Sequence, residues 1–475
     1  MSPVRRAFHI ELPRPLRQAL HSLETQGGVC RVVGGSVRDA LLGIAPKDFD
    51  VEVYGLELEN IAKALAPLGK TDLVGKAFAV VKLWTHGEEY DFAIPRRESK
   101  TGSGHRGFTI EANAHLSEFE AIQRRDFTIN ALLYDHSKGE VIDYAGGLED
   151  LSNGILRHVS PAFEEDPLRV LRAMQFAGRF KLELHDETAE LCRRIGHEYW
   201  TLAKERIWLE WQKWASKSKS LAHGMRALEK SGWICYFPEL NALRGLPQDP
   251  LWHPEGDAWT HTLHCLDALI RETDWLELTE SQRAPLAFGV LCHDLGKARC
   301  TRWALKRGEK HWISPGHDNQ SVWLAEQFFE SMRSPLEIRE KVMTLVGNHH
   351  FLNTAPDEGH SDASIRRLSK RLAPATTRQL VYVMKSDHLG RPPLVSEAQT
   401  ARIAKFEERI RELDLVESAP APLLLGRHLV SRGLKPGPGF KRILDQAYDA
   451  QLGGSFRNVE EAEAWLEKNW NKLNC

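Results

Sequence analysis

Val33-Gly34-Gly35-Ser36-Val37-Arg38-Asp39-Ala40-Leu41-Leu42-Gly43, followed by Lys47-Asp48-Phe49-Asp50-Val51, is the stretch on which the reading of this chain turns. Its first part reads as a strand, a glycine turn and the start of a helix. Gly34 and Gly35 let the backbone approach a ligand closely, and a helix N-terminus offers N–H groups to phosphate. Asp48 and Asp50 stand at i and i+2 in a β-like run, which turns both carboxylates to one side. Two anionic oxygen donors on one face suit Mg2+, which keeps several waters and takes further ligands from phosphates. Asp91, in Glu89-Tyr90-Asp91-Phe92-Ala93, is a third carboxylate on a later strand that could lie alongside. Three such groups can hold two metals, one at an attacking hydroxyl and one at a leaving pyrophosphate.

Outward from this stretch, residues 1 to about 150 alternate short β-like runs (VCRVVGG, FDVEVYG, AFAVVKLW, YDFAI, GEVIDYAGG) with helical stretches. That alternation predicts an α/β or α+β domain. Beyond about residue 155 the apolar residues recur at three- and four-residue spacing nearly everywhere, as in PLRVLRAMQFAGRF and ETAELCRRI, so helices are expected. Gly245-Leu-Pro-Gln-Asp-Pro250 breaks the run and marks a boundary. Ser418-Ala-Pro-Ala-Pro422 reads as a short stiff linker before a helical tail ending in NVEEAEAWLEKNW.

The chain has 475 residues and a formal net charge of −2. The length suggests two to four domains at roughly 150 residues each. With so little net charge, a nucleic-acid partner would have to be met by local basic patches. Seven scattered cysteines without a CxxC pair fit neither a disulfide framework nor a zinc ribbon. No apolar run reaches signal-peptide or membrane-span length, so a cytoplasmic protein with no membrane partner is expected.

The spacing GGxVRDxLLGxxxxDxD resembles the nucleotidyltransferase signature of the class II tRNA CCA-adding enzymes and bacterial poly(A) polymerases. Three further motifs stand in that family's order. Arg124-Arg125-Asp126-Phe127-Thr128-Ile129-Asn130-Ala131 is similar to the RRDFTxNA motif, which in the family helps bind nucleotide and couples domain movement. Asp143-Tyr-Ala-Gly-Gly147 is similar to the DxxGG hinge. Glu165-Asp166-Pro167-Leu168-Arg169, followed by Arg172, is similar to the EDxxR base-selecting motif.

The resemblance implies an α+β head with a mixed or antiparallel sheet over residues 1–153, then mostly helical parts. These are a neck (154–245) that selects the base, a metal-dependent phosphohydrolase domain (246–395) and a tail (396–475) that contacts tRNA. Asp48, Asp50 and Asp91 are the implied catalytic residues. Gly34, Gly35, Arg38, Arg124, Arg125, Asp126, Asn130, Glu165, Asp166, Arg169 and Arg172 are the implied nucleotide-binding set. Mg2+ is the implied cofactor of the head, with tRNA, CTP and ATP as partners. The chain is expected to be a monomer or a homodimer.

The base choice has a physical rationale. On a helix, Glu165 and Asp166 would share a face with Arg169. Cytosine and adenine each present an amino donor beside a ring-nitrogen acceptor, which a carboxylate and a guanidinium complement. Uracil and guanine reverse that order and would leave buried groups unpaired. Two features separate sibling activities. Val74-Gly-Lys-Ala-Phe78 has Ala77 where the bacterial poly(A) polymerases tend to carry a second basic residue, which favours tRNA work. The long polar segment Arg96–Gln123, including Thr101-Gly-Ser-Gly-His105, reads as the mobile loop that CC-only enzymes tend to lack. An A-adding enzyme or a poly(A) polymerase remains the sibling alternative.

The second helical block carries His261, Leu291-Cys-His293-Asp294-Leu-Gly-Lys297, His317-Asp318, His349-His350 and Ser386-Asp387-His388. Histidine and carboxylate together bind divalent transition metals. The order H…HD…D resembles the HD phosphohydrolases, with His261, His293, Asp294 and Asp387 as the matching ligands and His317 and His349 as additional ones. The resemblance implies Ni2+ or Mn2+ there, and phosphatase or 2′,3′-cyclic phosphodiesterase activity. A phosphohydrolase whose N-terminal half only binds tRNA is the alternative of another class. Arg427, Arg432, Lys435 and Lys441, in and beside Leu425–Gly439, are candidate contacts to tRNA phosphates.

Overall fold

The computed structural model describes residues 2–74, 79–100, 108–306, 308–354 and 359–473. They form two compact units, residues 1–214 with 223–236, and residues 215–222 with 237–475. Among the described residues, no helix is long and apolar enough to cross a membrane.

The first unit opens with β1 (Val4–Ala7), α1 (Arg14–Thr25), β2 (Val29–Val33), α2 (Gly35–Leu41), β3 (Asp50–Tyr54) and α3 (Leu58–Leu65). It continues with β4 (Lys70–Val74), β5 (Val80–Thr85), β6 (Glu88–Ala93), β7 (Arg96–Lys100), β8 (Phe108–Ala112) and α4 (Glu118–Ile122). Then come β9 (Leu133–Asp135), β10 (Glu140–Asp143), α5 (Gly147–Asn153) and, after a short turn, α6 (Leu168–Phe180). Eight strands make one mixed sheet in the order β1-β10-β9-β2-β3-β6-β5-β4, in which only β3 and β6 run parallel. The expected α+β head with a mixed sheet is therefore present.

Period-2 alternation decides what each face of that sheet does. Val51 and Val53 of β3 join Val81, Leu83 and Phe92 in a core closed by Leu16, Leu20 and Leu23 of α1 and Ile61 and Leu65 of α3. In α1 those buried residues recur at helical spacing, so one stripe of the helix faces the sheet. The intervening β3 residues, Asp50 and Glu52, consequently face away from this core. A smaller cluster of Val33, Leu133, Ile142 and Ile122 lies on the other face.

Two readings of the sequence need correction. The segment from Arg96 onward is no simple loop: β7 and β8 pair antiparallel, with Arg96 opposite Ala112. The polar stretch Thr101–His105 lies outside the described residues, as do Gly75–Phe78 of the Val74–Phe78 element. The second helical block also contains an antiparallel hairpin, Arg302–Lys306 with Glu309–Ile313, in which Trp303 stacks on Trp312 at 3.8 Å between ring centres. The pair is tied down where His311 meets Asp249 at 2.8 Å.

The rest of the second unit is helical. Helix Ala258–Glu272 packs against Thr377–Leu389 and Glu280–Cys292. Phe288, Leu291, Phe328, Phe329 and Leu345 are fully buried among these helices. A separate cluster of Leu429, Ile443, Phe456 and Leu466 holds the tail helices Pro438–Leu452 and Val459–Leu473 together. The Ser418–Pro422 linker is pinned onto this tail, since Tyr448 donates to the Pro420 carbonyl and Gln451 to the Ala421 carbonyl.

Candidate functional sites: a carboxylate cluster and a histidine cluster

Asp50 is the first residue of β3, and the parallel register sets it directly beside Asp91 of β6. Asp48 lies just before the strand rather than within it. Asp48 and Asp50 are both exposed, and the intervening Phe49 is buried, so the two carboxylates share the open side as the i, i+2 spacing requires. Lys82 lies opposite Asp91 on β5, with its Nζ 3.0 Å from Asp91 Oδ1, and also pairs with Glu89. Partial burial of the strand end, together with the Asp91 and Asp48 charges, raises the Asp50 pKa above its ordinary value against the opposing pull of Arg125. Three carboxylates crowded at one sheet end are a donor set suited to a hard divalent cation such as Mg2+.

Beneath this cluster lies a residue the sequence reading missed. Glu52 is 2% exposed and binds three groups at once: Arg124 Nη2 at 3.0 Å, Arg125 Nη2 at 2.7 Å and the Tyr54 hydroxyl at 2.8 Å. Burial alone would raise its pKa, but Arg125 and Arg124 hold it below the usual carboxylate value. Two successive arginines thus point into the head because a buried acid anchors them. The period-2 pattern, which puts Glu52 on the same face as Asp50, was the available signal.

The other predicted residues form a continuous polar layer. Gly34, at φ 73°, has the left-handed backbone that favours glycine, and a Cβ there would sit 3.0 Å from Arg125 Nη1. Gly35 begins α2. Arg38 is buried, binds Asp39 and Asn130, and stacks its guanidinium 4.3 Å over the Phe180 ring. Asn130 in turn donates to Asp126 Oδ1 at 3.0 Å, and Arg172 grips Asp126 Oδ2 through Nε and Nη2 at 2.8 and 2.6 Å. Arg38, Asp126, Asn130 and Arg172 are thereby brought into one network. Asp143 of the DxxGG motif accepts from the backbone N–H groups of Ala145, Gly147 and Leu148, which caps α5. Gly147 packs on the Thr128 carbonyl so closely that a Cβ there would collide with it.

The EDxxR segment departs from the expected helix. Glu165 ends a short 3-10 turn, Asp166 is extended at φ −115°, ψ 100°, and α6 starts only at Leu168. Pro167 is the reason, because a residue before proline is driven out of the helical region. Asp166 accepts from the Leu168 N–H and lies 3.3 Å from Arg206. Arg169 spends its two Nη groups on the Ala162 and Arg124 carbonyls, at 2.7 and 2.6 Å. These bonds fix the guanidinium plane and tie it to the RRDFTxNA segment. Asp166 and Arg169 are neighbours, but not through a shared helix face.

The second unit gathers His261, His293, Asp294, His317, His349 and Asp387, all buried, from five separate segments. Their imidazoles are oriented alike. Nδ1 of His293, His317 and His349 lies 2.7, 2.7 and 2.6 Å from the carbonyl three residues earlier in each case. A carbonyl only accepts, so each Nδ1 carries a proton and each Nε2 is left facing inward. These three Nε2 atoms are buried and make no hydrogen bond. His261 Nδ1 likewise faces two acceptors, Glu255 Oε1 at 2.8 Å and the Gly390 carbonyl at 3.2 Å.

Besides a group of His253, Glu255 and His261, donor atoms fall into two groups of four within metal-binding reach, His261, Cys265, His293 and Asp387, and His317, Asp318, His349 and His350. Asp294 lies between them, with one carboxylate oxygen 3.2 Å from His293 Nε2 and the other 3.2 Å from His317 Nε2. Buried imidazole nitrogens converging on carboxylates without hydrogen bonds are the arrangement a divalent cation completes. Lys297 and Arg391 approach Asp294 and Asp387 at 2.6 Å. Cys265 and Glu255 were not singled out, and Asp318 and His350 were noted only beside His317 and His349; Cys265 was legible only as the residue one helical turn after His261. A cleft of about 470 Å3 opens beside this cluster and is lined by His349, Asp387, Arg391 and the exposed Trp252.

Residues 30–157 match the Poly A polymerase head domain family. Three solved structures share the fold across nearly the whole chain. A CCA-adding enzyme in complex with CTP is 20% identical, with a TM-score of 0.61, over 98% of this chain and 97% of that one. The Thermotoga maritima CCA-adding enzyme complexed with tRNA is 19% identical, with a TM-score of 0.61, over 98% and 99%. The Bacillus stearothermophilus CCA-adding enzyme in complex with CTP is 20% identical, with a TM-score of 0.62, over 98% and 100%. Residues 30–157 therefore match the poly A polymerase head domain family, within a chain whose fold is that of solved CCA-adding enzymes.

Proposed function

We propose that this chain is a template-independent tRNA nucleotidyltransferase that adds CCA to tRNA 3′ ends from CTP and ATP, releasing pyrophosphate. The observation that carries the reading is the placement of Asp50 beside Asp91 across one strand register, with Asp48 on the same open side. Asp48 and Asp50, with Asp91, would hold Mg2+, which supplies charge neutralisation for the triphosphate. Arg38, Arg124 and Arg125, with Gly34 and Gly35, border the space for the triphosphate. In the reaction the terminal 3′-hydroxyl attacks the α-phosphorus, the bond to the β-phosphate oxygen breaks, and the electron pair leaves with pyrophosphate. Positioning and charge compensation are the chain's main contributions to such a transfer.

Glu165, Asp166 and Arg169, the last held by the Ala162 and Arg124 carbonyls, are the base-selecting group, and Asp126, Asn130 and Arg172 complete the nucleotide-binding set. Four functional parts follow: head (1–153), neck (154–245), hydrolase domain (246–395) and tail (396–475). Arg427, Arg432, Lys435 and Lys441, all exposed, offer the tail's contact to tRNA phosphates. The buried, inward-facing Nε2 atoms favour a second activity in the hydrolase domain, metal-dependent hydrolysis of phosphoesters such as 2′,3′-cyclic ends, with Ni2+ or Mn2+ among the ions such donors accept.

The test is incubation with tRNA ending at the discriminator base, supplied with CTP alone, ATP alone and both. Arrest after CCA with both nucleotides supports the reading. Addition of A only, and only to a CC end, replaces it with the A-adding sibling, and long A tracts replace it with polyadenylation. His293→Ala should abolish phosphoester hydrolysis; hydrolysis at the wild-type rate would remove the second activity from this cluster.

A further inference from the structure

Cys265 lies one turn after His261 on helix Ala258–Glu272, so both side chains project from the same helix face. Its Sγ is fully buried, 3.3 Å from His261 Nε2, in a group whose four donor atoms lie within 4.8 Å of one another: this thiol, a nitrogen each from His261 and His293, and an Asp387 oxygen. Among the described cysteines it alone stands in such a group. Packing holds it there. Helix Thr377–Leu389 ends at Gly390, and a Cβ at that glycine would collide with Cys265 Sγ. A second observation points to a ligand independently of the thiol. His293 is 1% exposed, its Nδ1 is used on the Val290 carbonyl, and its Nε2 is aimed into the group without a hydrogen bond. His261 Nδ1 donates to its two acceptors, Glu255 and the Gly390 carbonyl, while Nε2 faces Asp387 Oδ1 at 3.1 Å. A cation seated between Nε2 and that carboxylate would take the place of a proton there.

We propose that Cys265 is a metal ligand, so that this group is a sulfur, two-nitrogen and oxygen site selecting a thiophilic ion such as Zn2+ over Mn2+ or Mg2+. The inference rests on the reading of this unit as a metal-dependent hydrolase and sharpens which ion that hydrolase carries. Thiolate ligands favour Zn2+ and Co2+, whereas Mg2+ and Mn2+ prefer oxygen donors. Four donors of this composition match the tetrahedral preference of Zn2+. Asp294, on the side toward His317, is left to bridge to the second group.

The experiment uses the full chain, stripped with a chelator and titrated with Co2+, Zn2+ and Mn2+. Co2+ should bring up a thiolate-to-cobalt absorption in the near ultraviolet, which Zn2+ displaces. Cys265→Ser and Cys265→Ala should both lose that absorption and bind Zn2+ at least about tenfold more weakly, with Mn2+ affinity changed less than about twofold. A far-ultraviolet dichroism spectrum and a cooperative unfolding curve establish that each variant is folded. Variants that keep both the absorption and the Zn2+ affinity overturn the proposal. Co2+ binding without the absorption in the wild type overturns it as well, yet leaves a metal-dependent hydrolase standing. If the wild type binds none of the three ions, or His293→Ala binds them as well as the wild type, the underlying reading fails instead.

Discussion

The carboxylate cluster of the head and the histidine cluster of the second unit are built on opposite plans. Asp48 and Asp50 stand in solvent at a strand end, and the buried part of their site is an ion-paired support, Glu52 with Arg124 and Arg125. In the second unit His293, Asp294, His317 and His349 are themselves buried, and it is their Nε2 and carboxylate atoms that lack hydrogen bonds. Exposed carboxylates are hydrated and can wait for a metal that arrives with its nucleotide. Buried imidazole and carboxylate groups have no water to fall back on, and an unsatisfied buried polar group costs free energy. On the proposed reading a resident cation contributes to the second unit's stability, whereas Mg2+ contributes only to the head's chemistry.

This contrast can be broken most sharply in the head. Asp50→Asn should lower nucleotide incorporation at least about a thousandfold, about 4 kcal/mol of barrier. Because the side chain is exposed, its unfolding free energy should move by only about 0.5 kcal/mol. Incorporation at the wild-type rate, measured by extension of tRNA in a gel assay, would remove Asp50 from the site.

Glu52→Gln is expected to do the reverse of a purely catalytic lesion. Leaving two arginines without their buried acid should cost about 3 kcal/mol of stability at neutral pH, read by denaturant unfolding. The folded pKa of Glu52 lies below its ordinary value of 4.5. The unfolded chain therefore takes up the proton first on acidification, and this stabilisation is complete above about pH 4.5 and lost as pH falls through the folded value. The gap between wild type and Glu52→Gln should accordingly narrow in acid; a gap that widened would show that Glu52 is not held as a paired carboxylate.

The smallest of the three effects sharpens the other side of the comparison. Saturating the stripped chain with Zn2+ at about a hundred times its dissociation constant should stabilise the second unit by about 2.7 kcal/mol. Mg2+ at the same concentration should leave that transition unmoved. Calorimetry resolving two transitions would check this, and equal effects of both ions would erase the distinction between the two sites.

Legibility differed between the same two regions for a physical reason. In the head, Asp48 and Asp50 flank the buried Phe49 at the entry to β3, so local spacing carries the geometry. The helix expected through Glu165–Arg169 failed because Pro167 overrides the i, i+3 pattern, and that residue was visible in the motif itself. In the second unit His261 and Asp387 are 126 residues apart, and only helix packing brings His261 Nε2 to 3.1 Å from Asp387. The motif order named these ligands, but it was silent on Cys265, which at one helical turn from His261 reads equally well as a core residue.

What the sequence by itself determined is the local chemistry: the acids at i and i+2, the glycine at Gly34 where the chain turns left-handed, and the succession of one α+β domain and many helices. Tertiary structure alone decided that Asp91 would stand beside Asp50, that Glu52 would anchor two arginines, and that four imidazoles would turn their Nε2 atoms inward. Each of those outcomes depends on contacts between residues far apart in the chain. Short-range periodicity fixes which way a side chain leaves its own strand or helix; only packing decides what it meets there.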